Sequence, residues 1–156
     1  MQRYSRKPAV VVVLVSTVLA AGYLVAAGPI ERYLKGHGHG GSIEAMEKTI
    51  AEGKADGKMW FAYGDALADA GRHSGAADAF REALAQNTGS ADAKFRLGVS
   101  LAQAGRGDEL FGWLKELVSG DAKVAVRLFE HPAVQRYAGE ERFAALSKEA
   151  TGQAMD

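Results

Sequence analysis

WFAYGDALADAGR, Trp60 to Arg72, returns further along the chain as KFRLGVSLAQAGR, Lys94 to Arg106. Seven of the thirteen positions are identical: Phe61/Phe95, Gly64/Gly98, Leu67/Leu101, Ala68/Ala102, Ala70/Ala104, Gly71/Gly105 and Arg72/Arg106. In the first copy Trp60, Tyr63, Gly64 and Leu67 fall at i, i+3, i+4 and i+7, an apolar helical stripe with one small notch. Gly71 suits the left-handed position that closes such a helix. A second helix follows, with Ala76, Ala77, Phe80, Ala83 and Leu84 on one stripe, and Asn87-Thr88-Gly89 ends it. The offset from Trp60 to Lys94 holds throughout the unit. Leu97, Gly98, Leu101, Leu110, Leu114 and Leu117 stand in the second copy where the first has Tyr63, Gly64, Leu67, Ala76, Phe80 and Ala83. A helix–turn–helix at a fixed period predicts an all-α stack of hairpins with a continuous core, because one hairpin alone leaves an apolar face wet. Gly64, Gly98 and Ala76 are small so that paired helices approach closely.

The flanks extend the stack. Ile43, Met46 and Ile50 form a stripe in Ser42–Lys54, one period ahead of the second helix of the first unit. It reads as a half-repeat without its first helix. After the second unit Asp121 is expected to N-cap a helix through about Phe129. Pro132 falls where a third copy needs its glycine, so the repeat breaks there. Val134, Tyr137, Phe143 and Leu146 in the tail are expected to cover the last hairpin.

With Trp60, Gly64, Ala76, Phe80 and Ala83 at these spacings, the chain resembles the tetratricopeptide repeat family. Thr88 replaces the usual closing proline of that pattern. Lys94 replaces the aromatic in the second unit, and Leu110 stands where a small residue is usual. That bulk implies a wider helix spacing or a unit facing a different neighbour. The resemblance gives a half-repeat at 42–54, repeats at 57–90 and 91–124, and a capping tail at 125–156, together a domain of residues 42–156.

Ahead of that domain, residues 8–30 carry no charge over 23 positions. As a helix this run measures about 34 Å, enough for a hydrocarbon core of about 30 Å. Arg3, Arg6 and Lys7 in residues 1–7 precede it, so the positive-inside bias predicts a cytoplasmic N-terminus and an outward-facing domain. The expected architecture is a single-pass anchor in the inner (cytoplasmic) membrane of a bacterial envelope, with the domain in the periplasm. The alternative is a cleaved signal peptide with Val25-Ala26-Ala27 at the cut, releasing a soluble periplasmic binding or chaperone-like protein. Residues 31–41 hold four glycines from Gly36 to Gly41 and read as a flexible linker. His37 and His39 there have no nearby carboxylate and make no organised metal site; no metal or cofactor is expected.

The chain has 19 basic and 19 acidic residues, unevenly placed. Five bases against one acid precede Ser42, a net of +4, and the remainder carries −4. A mildly acidic domain argues against nucleic acid as its partner. The absence of cysteine excludes disulfides, thiolate metal sites and cysteine nucleophiles. No GxSxG, GxxxxGK[ST], HExxH or dinucleotide glycine fingerprint occurs, and His73 and His131 are isolated, His73 in a turn. An interaction module is expected, not an enzyme.

The resemblance implies that the first helix of each hairpin lines a concave groove for extended or helical peptides. By position that face includes Phe61, Asp65 and Asp69 in the first unit and Phe95, Arg96, Val99 and Gln103 in the second. Phe61 and Phe95 read either as binding anchors or as packing against neighbouring helices. Asp65 and Asp69 lie one turn apart, favouring a basic stretch in a ligand or simple solvation. Members that clamp C-terminal carboxylates use lysine and asparagine where this chain has Phe61, Asp65, Phe95 and Val99, so that chemistry is not expected. The function implied is a membrane-tethered scaffold or assembly factor that binds a segment of another envelope protein. Self-association into a structural oligomer is the remaining alternative.

Overall fold

The structure, a computed structural model, describes residues 42–86 and 90–155. The expected span at 8–30, the linker with His37 and His39, and the turn at Asn87–Gly89 lie outside the described residues. Among the described residues no helix is long and apolar enough to cross a membrane. The regular elements described are all helical: α1 Ile43–Ala51, α2 Gly57–Asp69, α3 His73–Ala85, α4 Ala91–Gln103, α5 Gly107–Gly120, α6 Ala122–Glu130, α7 Pro132–Gln135 and α8 Glu141–Met155.

Two local devices set the first five helices. Ser42, Asp56 and Ser90 cap α1, α2 and α4, their side chains accepting from the backbone N–H of Ala45, Met59 and Ala93. The repeated Ala-Gly-Arg closes α2 and α4. Gly71 and Gly105 both take φ 74°, and Arg72 N–H donates to Leu67 at 2.8 Å as Arg106 N–H does to Leu101 at 3.0 Å. This reversal lets the next helix turn back at once, and His73 therefore heads α3 instead of lying in a turn.

Packing follows the glycine notches, and the two units use them differently. A Cβ at Gly64 would stand 2.7 Å from the Phe80 ring, so the notch lets α3 seat a phenylalanine against α2. At Gly98 the intruder is Leu128 of α6, whose Cδ1 would lie 2.6 Å from an added Cβ. Leu110, where the first unit has Ala76, is fully buried. Its bulk holds α5 off α4, and α6 fills the space that a tight hairpin would close. Both consequences expected of Leu110 thus occur together.

A second substitution is compensated in the same unit. Lys94 stands where the first unit has Trp60, and Trp113 stands where it has Ala79. The Trp113 indole packs on the core from α5 and donates to the Lys94 carbonyl at 3.1 Å. Each unit therefore holds one indole at this junction, delivered from opposite helices.

The third unit is irregular. The interval from Ala91 of α4 to Ala122 of α6 is three places shorter than that from Gly57 of α2 to Ala91, because only Asp121 separates α5 from α6. Asp121 does not cap α6 through its side chain, contrary to the expectation; its backbone sits at φ −155°, ψ 66°, and its carboxylate pairs with Lys94 at 3.0 Å. The chain breaks at His131-Pro132, as the proline requires. Helix α8 then returns against α6 and α5. Val134 and Phe143 are buried, Tyr137 and Leu146 are half-buried against the same core, and Phe129 meets Phe143 edge-on at 5.0 Å. The tail covers the last hairpin with one more, distorted, hairpin.

Candidate partner-binding groove

Residues on the side of the first helices enclose an open cavity of about 380 Å³. Its floor is α4, where Phe95, Val99 and Gln103 line up at i, i+4 and i+8 beside Asp92 and Arg96. One wall is the end of α2 with the first two turns of α3 and its Phe80 ring, contributing Ala68, Asp69, His73 and Phe80. The opposite wall is α6 and the proline break, contributing Arg127 and His131.

Phe95 is half-buried and framed. The Arg127 guanidinium lies 4.7 Å from its ring centre, and the His131 ring meets its edge at 5.7 Å and 82°. The Nδ1 of His131 accepts from the Ala133 N–H at 3.2 Å, which leaves Nε2–H as a donor. Phe61, its repeat partner, is used otherwise. It packs edge-on against Phe80 at 5.5 Å and lies under Arg96 at 5.6 Å, outside the residues that line the cavity. Both phenylalanines of the repeated pattern are half-buried against the core, each under an arginine; they differ in that Phe95 lines the cavity and Phe61 does not.

Arg96 ties the two units together. Its guanidinium reaches Asp65 at 2.8 Å and Asp92 at 3.2 Å. The Asp65–Asp69 pair is thereby split, since Asp65 is held by this cation while Asp69 stands exposed at the cavity. Of the residues expected on the face, Asp69, Phe95, Arg96, Val99 and Gln103 line one cavity, and Phe61 and Asp65 adjoin it through Arg96.

Arg127, His131 and His73 are not legible from the repeat. The early start of α6 places Arg127, not the residue one full period after Phe95's neighbours, beside that ring. The offset from Phe61 to Phe95 leads on to Phe129, but α6 starts three places early, so Val126 holds the equivalent position in α6 and the Phe129 ring is buried.

The other side of the stack is built differently. Two apolar hollows, about 550 and 470 Å³, are related by the repeat period, with Ile50, Ala51 and Leu67 in one matched by Leu84, Ala85 and Leu101 in the other. They follow from stacking and repeat with it. A charged clamp crosses this side, Arg106 binding Asp78 at 2.7 Å and Glu109 at 2.6 Å while Arg81 binds Glu109 at 2.8 Å. The hydrogen bond from Arg106 holds the Glu109 carboxyl below its ordinary range. Among the described residues no group of three or more histidine, cysteine or acidic side chains could hold a metal ion.

A family model for the tetratricopeptide repeat matches residues 31–91 and 76–125, more than half of the chain. No curated protein matches the sequence.

Proposed function

This chain belongs to the tetratricopeptide repeat family, and we propose that it is a membrane-tethered scaffold whose first-helix groove holds a segment of another envelope protein. Repeats of this family form interaction scaffolds, and the reading here is of binding rather than catalysis. The observation that carries the groove is Phe95, an aromatic ring left half-open on the cavity floor and flanked by Arg127 and His131. Aromatic anchors in partly desolvated pockets contribute disproportionately to binding. The support for the tether is the uncharged run at 8–30 behind Arg3, Arg6 and Lys7, immediately ahead of the matched residues. In this reading the run is retained in the inner membrane and the domain works in the periplasm, close to the surface because the linker is short.

The test is co-purification from solubilised envelopes of cells making the full chain, as wild type and as Phe95→Ala, with intact mass measured in parallel. A discrete protein recovered with wild type and lost with Phe95→Ala supports the groove. Equal recovery with both puts the contact elsewhere. A mass lacking the segment up to about Ala27 replaces the tether with cleavage and release.

A further inference from the structure

We infer that the groove selects a peptide segment in which an apolar residue is flanked by a base on one side and an acid on the other, in a fixed order. The inference rests on the groove being the binding site and adds what it recognises.

Of the charged side chains that line the cavity, Arg96 and Asp92 are bound to each other, and Arg96 also holds Asp65. Two remain with no ion pair among the described residues, Asp69 and Arg127, and they stand on opposite walls. Arg127 is committed only to the face of the Phe95 ring. The free Nε2–H of His131 adds a donor to the Arg127 wall. Between the walls run Phe95 and Val99. The groove therefore presents an acid on the α2 wall, a floor on α4 where Phe95 and Val99 lie among Gln103 and the paired Asp92 and Arg96, and a base on the α6 wall.

A ligand of one charge meets attraction at one wall and repulsion at the other. A segment with both signs meets attraction at both, provided its charges are ordered to match. Helix α6 packs on α4 while α2 is joined to it mainly through α3, so each wall lies at least one packing distance of about 8–10 Å from α4, and extended chain rises about 3.3 Å per residue. Allowing for side-chain reach, the two charges belong about four to six residues apart, with leucine or phenylalanine between them.

The test uses fluorescein-labelled synthetic peptides with a central Leu-Phe pair, one Lys and one Asp on either side, in both orders and at stepped separations. Anisotropy is measured against the full chain as wild type, Asp69→Lys/Arg127→Glu, Asp69→Asn/Arg127→Gln and Phe95→Ala, each checked for an unchanged thermal transition. Wild type should prefer one order by about five-fold or more, the worth of one or two exposed ion pairs. The charge-exchanged variant should prefer the reverse order, and the neutral variant neither. If Phe95→Ala weakens binding while both charge variants keep the wild-type preference, the charge order is wrong and the groove stands. If Phe95→Ala binds every peptide as wild type does, or no peptide binds, both readings are overturned.

Discussion

The Arg127 guanidinium rests 4.7 Å above the Phe95 ring, and this contact joins α6 to α4 on the groove side. Its partner ring is half-buried, whereas Phe80 on the neighbouring helix is 1% exposed. A side chain kept for binding should cost little stability when truncated. Phe95→Ala should therefore lower unfolding free energy by about 1–2 kcal/mol, against about 3–5 kcal/mol for Phe80→Ala. Equal losses in urea unfolding would make Phe95 a core residue.

Three glycines separate close approach from mere helix propensity. Gly64→Ala drives a methyl into the rigid ring of Phe80 and should destabilise by about 1–3 kcal/mol. Gly98→Ala should cost a similar amount, because the new methyl meets both Cδ atoms and the Cγ of Leu128, which is fully buried and has no open space to move into. Gly112 in α5 has nothing within 4 Å, so Gly112→Ala should stabilise by about 0.5–1 kcal/mol. Thermal denaturation of the three variants gives the order, and a stabilising Gly64→Ala would contradict the packing described.

The exchanged indole makes a reciprocal prediction. Trp113→Ala should cost about 2–4 kcal/mol, including the bond to the Lys94 carbonyl. Adding Lys94→Trp to that variant recreates the first unit's arrangement of Trp60 with Ala79 and should recover a large part of the loss. Lys94→Trp alone should not stabilise, since the space is filled. Additive losses in the double variant would show that the two indole positions are unrelated.

Glu109 gives a pH signature. Its folded pKa lies below the ordinary value of 4.5, chiefly through the hydrogen bond from Arg106. The unfolded chain then takes up this proton more readily than the folded one. The contribution is present above about pH 4.5 and is lost as pH falls through the folded value. Because both partners are near the surface, it should amount to less than about 1 kcal/mol. Wild type should lose stability on acidification more steeply than Glu109→Gln, and parallel curves would contradict this.

What the sequence discloses follows from what a repeat enforces. Gly71 and Gly105 and the Leu67/Leu101 stripe are local requirements, each satisfied within one turn of its own residue, so they can be read at a fixed interval. The groove depends on something less local. Arg127 reaches Phe95 only because α6 starts early, and that shift comes from the one-residue join of α5 to α6 at Asp121. Asp121 has the composition of a cap, but its backbone is fixed by the abrupt join of α5 to α6, which turns its carboxylate toward Lys94. Asp65 and Asp69 look equivalent on one helix; Arg96, from the next unit, separates them.

The most direct measurement is photo-crosslinking in cells from position 95, with Phe95 replaced by a photoreactive aromatic and Phe61 replaced likewise in a second strain. The account predicts adducts to a discrete envelope protein from position 95, few or none from position 61, and loss of the position-95 adducts when Arg127→Glu is added. Adducts from position 95 only to the chain itself would mean that the groove is a surface for packing or self-association, and the scaffold reading would fall.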